Sequence, residues 1–154
     1  MENLLIRDMT ENDIGQVQIL MGQLNEIFET QHDISGTAIK TTFLEMTDKK
    51  DNYINLIAEE NGEIVGFISS AIYKTFFHSG GTLLINELIV DKVCRGRNVG
   101  KVLLDRIVEL AEELGLNEVE VGTTFDNTGA IKFYKANGLT DESVVLGKDL
   151  GNEK

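Results

Sequence analysis

Between Thr82 and Leu114 the hydrophobic period of the chain changes abruptly. TLLINELIVD is an almost unbroken apolar run of strand-forming residues, while Val99, Val102, Leu103, Ile107, Leu110 and Leu114 recur at helical spacing and stop at Gly115. A strand that turns directly into an amphipathic helix has one way to bury both apolar faces, which is to lay the helix back on a sheet. The turn between them, VCRGRNVGK, carries two glycines and, with Lys92, four cations: Lys92, Arg95, Arg97 and Lys101. No acid falls between Lys92 and Lys101, although the whole chain has a formal net charge of −12.

The flanking segments extend the layered pattern. Leu4–Met9 is expected as a first strand, and Thr10 or Asp13 as the cap of a helix reaching Phe28. A shorter helix is expected in SGTAIKTTFLEMTD. YINLIAEENGEIVGFISSAIY is expected as a hairpin turning at Asn61-Gly62. The apolar run from Thr82 is expected as a central strand. NEVEVGT alternates as a strand, NTGAIKFYKANG is a capped helix ending at Gly138, and SVVLGKDL is expected as a weak last strand. The order β α α β β β α β α β predicts an α+β layered fold with a mixed sheet.

At 154 residues, with no proline, repeat or low-complexity stretch, residues 1–154 are expected to form one domain. The N-terminal segment resembles neither a signal peptide nor a membrane span, and the lone Cys94 fits a reducing compartment, so the expected location is cytoplasmic. The acidic balance argues against nucleic acid or an anionic membrane as partner and favours a cationic substrate. No metal site is expected. A homodimer is left open.

The basic turn at a helix start suits an anion, because unpaired amides and the positive end of the helix dipole meet there. It is not a P-loop: Gly96 and Gly100 are one residue too close, and Val102 stands where a hydroxyl is required. It is not a dinucleotide fingerprint either, since a third glycine is missing. Arg95 to Gly100 instead resembles the pyrophosphate loop of the GNAT superfamily of N-acetyltransferases, Gln/Arg-x-x-Gly-x-Gly/Ala, with Asn98 standing where glycine is usual. Asn tolerates positive φ better than most residues, so the loop is expected to close. DNTGAIKFYKANGL is similar to the family's later helix through Asn127, Ala130, Phe133, Tyr134 and Gly138. The strand before the loop and the hairpin also resemble family segments, so the likeness runs over essentially the whole chain and is weakest over residues 28–50.

This resemblance implies a GNAT fold whose fourth and fifth strands splay apart, and acetyl-CoA as the acetyl donor. It implies cofactor contacts along Leu88, Ile89 and Val90, at Arg95, Gly96, Arg97, Asn98, Val99, Gly100 and Lys101, and at Asn127 and Tyr134. Tyr134 stands where the family places its thiolate proton donor; Asn127 is equally readable as a helix cap. Glu87 is the candidate general base, with Glu120 as the other carboxylate, and strand alternation puts Glu87 and Ile89 opposite Asn86 and Leu88. Family members often bulge at this strand, so alternation alone does not say which face meets substrate. Direct transfer is expected, so Cys94 is not expected as a nucleophile with His32 or His78.

Acceptor choice is expected to rest on FETQHDISGT, with Glu29 and Asp33, and on YKTFFHSGGT, with Tyr73, Phe76 and Phe77. The expected acceptor is a small cationic amine: a polyamine, aminoglycoside or other amino compound. A protein N-terminus or lysine is the alternative within the same chemistry. A non-catalytic acetyl-CoA sensor is the alternative outside it.

Overall fold

The turn Asn61-Gly62, with φ of 53° and 82°, closes the hairpin on which the sheet is built. The computed structural model describes residues 3–151. Five strands lie in sequence order: β1 (Leu4–Asp8), β2 (Tyr53–Glu60), β3 (Glu63–Tyr73), β4 (Thr82–Val90) and β5 (Glu118–Val121). The first three junctions are antiparallel and β4–β5 is parallel, so the sheet is mixed as expected. The apolar strand expected at the centre is the fourth of five.

Helices cover both faces. After a 3-10 turn at Glu11–Asp13, α1 (Ile14–Phe28) lies on one face and pairs with α2 (Gly36–Thr47). The turn is fastened by a capping box between Thr10 and Asp13, and Arg7 donates to Asp13 at 2.8 and 2.9 Å. α1 presses Val17 and Leu20 onto Ile57, Phe67 and Ile89. On the opposite face α3 (Val99–Glu113) buries Val99, Leu103, Leu104 and Ile107 against Ile68, Leu83 and Ile85, with α4 (Thr128–Ala136) adding Phe133 and Tyr134 at the edge of that core. Gly66 lets α3 approach: a Cβ there would stand 2.9 Å from Leu103 Cδ1 and 3.0 Å from Val99 Cγ1.

Ser143–Leu150, expected as a weak last strand, forms none. Val144, Val145 and Leu146 are exposed and the segment joins no ladder. β-propensity without a paired neighbour does not make a strand. Among the described residues no helix is long and apolar enough to cross a membrane.

Candidate active site

One extra residue in β4 organises the site. Ser69 pairs with Glu87 but the next residue, Ser70, pairs with Ile85, leaving Asn86 as a bulge. Leu83 and Ile85 therefore point to the α3 face, while beyond the bulge it is Leu88 and Val90 that pack there, and Glu87 and Ile89 turn to the α1 face. The expected opposition of Glu87 and Ile89 to Leu88 is correct, and the bulge decides the face. Pairing with β5 also ends at Ile85–Val121, so β4 leaves one edge unpaired from Asn86 to Val90.

Two cavities flank this half-strand. A cleft of about 500 Å³ opens between the free edge of β4 and Val121, Thr123, Asn127, Phe133 and Tyr134, with Arg95 and Gly100 in its wall. A second cavity of about 510 Å³ lies under α1 and α2. Both are lined by Leu24, Phe28, Asn86 and Glu87, so they meet at the bulge.

Glu87 sits at that junction. Burial pushes its carboxyl above the ordinary carboxylate range, and a hydrogen bond from Ser69 opposes the shift. Tyr134 is pushed up to about 12 by burial and stays protonated at neutral pH. Its ring meets Phe133 edge-on, centroids 5.2 Å apart. Asn127 caps α4, its Oδ1 accepting from Ala130 N at 3.2 Å, and also lines the cleft, so both expected roles remain compatible.

The basic loop divides its cations. Gly96 (φ 77°) and Asn98 (φ 62°) both adopt the left-handed conformation, so Asn98 closes the loop as expected. Such a turn into a helix gathers successive amides into an anion-holding concavity. Arg95 lines the cleft and is steadied by Val90 O at 3.2 Å. Arg97 instead grips Glu60 at 2.7 and 2.9 Å, and Lys101 pairs with Asp105 at 2.6 Å. Val99 turns its side chain into the core. Of the residues expected to touch the cofactor, Leu88, Ile89, Val90, Arg95, Gly100, Asn127 and Tyr134 line the cleft; Gly96, Arg97, Asn98, Val99 and Lys101 do not.

Other candidates lie elsewhere. Glu120 lines neither cavity and accepts a hydrogen bond from the Tyr73 hydroxyl. Cys94 is buried in the α3 core. His78 Nδ1 stands 3.0 Å from Glu118 Oε2 without the alignment of a hydrogen bond. Phe76 and Phe77 are fully exposed and line neither cavity, and exposed Glu29 only ends α1. His32 and Asp33 do reach the rim of the α1–α2 cavity. Sequence reading missed Ser69, Asn86 and the methionine-rich wall. The signal for Ser69 was present: Ser69-Ser70 interrupts an apolar strand and both are buried.

The sequence matches the model of the acetyltransferase (GNAT) family over residues 19–139. The chain belongs to the GNAT family. An aminoalkylphosphonate N-acetyltransferase of Salmonella typhimurium is 33% identical over 146 residues, covering 94% of this chain and 90% of that protein. An uncharacterized N-acetyltransferase of Methanocaldococcus jannaschii is 33% identical over 100 residues, 64% of this chain; the match spans 44% of that longer protein. The crystal structure of glucosamine-6-phosphate N-acetyltransferase from Arabidopsis thaliana superposes with a TM-score of 0.80 at 23% identity, covering 96% and 98% of the two chains. GNAT enzymes are acetyl-CoA-dependent N-acetyltransferases, and the splayed β4–β5 edge, the amide-rich turn and Arg95 suit a long pyrophosphate-bearing thioester.

Proposed function

We propose that this acetyltransferase moves the acetyl group of acetyl-CoA directly to a small primary amine, with Glu87 as general base and Tyr134 as general acid. The observation that carries it is the junction of the two cavities at Glu87. Bound acetyl-CoA would supply an activated thioester. Arg95 and the amides of the Gly96–Gly100 turn would hold its pyrophosphate, and the unpaired edge of Leu88–Val90 would pair with its amide-bearing arm and orient the thioester carbonyl. An amine enters the other cavity as an ammonium ion and must lose a proton before it can attack. Glu87 accepts that proton, directly or through water. As the C–S bond breaks, the phenol of Tyr134, in the cleft wall, would give its proton to the departing thiolate, and the second proton lost by the nitrogen would restore the phenol.

The broader placement is a single acetyltransferase domain acting on a small-molecule amine in the cytoplasm. The test is thiol release from acetyl-CoA by the full chain over a panel of amines. Release that depends on the amine, together with an N-acetylated product, is expected. Cofactor binding without amine-dependent release for any primary amine would overturn the reading in favour of a sensor.

A further inference from the structure

The α1–α2 cavity has a chemistry of its own. Its inner wall is thioether and aromatic: Met21, Met46, Phe43, Phe67 and Ile39 face it. From these walls we infer that the acceptor is a primary monoamine with an apolar, aryl-sized body and no phosphate; this rests on the acetyl-transfer reading.

Three features exclude the alternatives. First, the carboxylates on the walls are Glu87, at the junction with the cofactor cleft, and Asp33, exposed at the rim with Oδ1 accepting from Ser35 N at 2.9 Å. An ammonium beside Glu87 is matched. A second or third ammonium held inside the cavity, away from the exposed Asp33, would lie against methionine and phenylalanine, and an unmatched buried charge costs several kcal/mol. Second, two of the three amides in the wall are already engaged, and the third, Asn86, stands beside Glu87 at the junction of the cavities. Asn25 donates to His32 O at 3.2 Å and accepts from Thr30 at 2.8 Å, and Asn55 Nδ2 is directed at Met46 Sδ at 3.4 Å. The many hydroxyls of an aminoglycoside would lose more water than the remaining polar groups, Asn86 and Thr42, could replace. Third, among the described residues no lysine or arginine lines this cavity. A phosphate or phosphonate would meet Glu87 and a chain of net charge −12 with no lysine or arginine to hold it. The relatives named for glucosamine 6-phosphate and aminoalkylphosphonate thus share the fold without lending this chain their acceptors. An aromatic ring, by contrast, is matched by the sulfur and ring walls.

The experiment measures thiol release by the full chain at saturating acetyl-CoA with phenethylamine, spermidine, kanamycin, glucosamine 6-phosphate and aminoethylphosphonate. Phenethylamine is expected to show a kcat/KM at least about tenfold above that for each other amine, since unmatched polar groups are rejected strongly. Equal or better use of any other amine overturns the inference. Calorimetric titration of the same amines onto the CoA-saturated protein separates binding from chemistry. If phenethylamine binds tightest but none releases thiol, the acceptor class stands and the acetyl-transfer reading falls. If it does not bind, the class falls. Thr42→Glu adds a third carboxylate, beside Glu87 and Asp33, on an exposed wall position of α2. It should raise kcat/KM for spermidine relative to phenethylamine about fivefold or more, by pairing a second ammonium. An unchanged ratio would count against the cavity as the acceptor site.

Discussion

Replacing Glu87 with glutamine keeps the side chain's shape and its capacity to bond Ser69 while removing the charge and the basicity. If the carboxylate takes the amine's proton, turnover should fall about 10²–10⁴-fold, equivalent to ~3–5 kcal/mol of barrier. Burial holds the Glu87 carboxyl above the ordinary range, with the Ser69 hydrogen bond opposing it. Its deprotonated form is the base, so activity should be lost as pH falls through this raised pKa, higher than the ~4.3 of a solvated glutamate. Ser69→Ala removes the opposing bond and should push that acid limb higher still.

The stability sign is the reverse. A folded pKa above the unfolded one contributes stability that is present below the unfolded pKa and lost as pH rises through the folded value. At neutral pH the buried charge is therefore a burden, and Glu87→Gln should melt at the same temperature or higher. The assay is thiol release between pH 5 and 10 with two amines of different pKa, beside thermal melts. A limb set by the amine moves with the amine; a limb set by Glu87 does not. Turnover within about threefold of the parent, with an unmoved limb, would refute the assignment, leaving the amine to arrive already neutral.

Tyr134→Phe keeps the ring against Phe133 and removes the proton, so kcat should fall about 10²–10⁴-fold while calorimetric CoA affinity is retained; near-parental kcat would leave Tyr134 a packing residue. Arg95→Ala should weaken CoA binding by about 1–3 kcal/mol, whereas Arg97→Ala, which breaks the Glu60 pair outside the cleft, should weaken it less; equal losses by calorimetry would refute the division of the loop. Gly66→Ala should lower stability by about 1–3 kcal/mol through overpacking against Leu103 and Val99, seen as a melting point several degrees lower.

What could be read from the sequence was what local chemistry decides. The helix of Val99–Glu113 was announced by its spacing, the hairpin by Asn61-Gly62, and the loop closure by Asn98 tolerating φ 62°. What could not be read depends on partners distant in the chain. Charge counting treats Arg95 and Arg97 alike, because nothing near them says that Glu60, 37 residues earlier, claims one of the two. Ser143–Leu150 has the composition of a strand, and composition does not supply the neighbouring edge that would make it one. The apolar wall of the α1–α2 cavity is assembled from Met21, Met46 and Phe67 on three different elements, and no single segment displays it.

The bulge at Asn86 shows why both halves of the site depend on one residue. Without it, β4 would continue the alternation of Leu83 and Ile85, and Glu87 would point into the α3 core, where Leu103 and Ile107 have no polar group to meet it. The same extra residue marks where β4 stops pairing with β5, since the ladder ends at Ile85–Val121. The opening of the cleft and the aim of the carboxylate thus coincide at one register shift. They occur at the same height along the strand, where the two cavities share Asn86 and Glu87 in their walls.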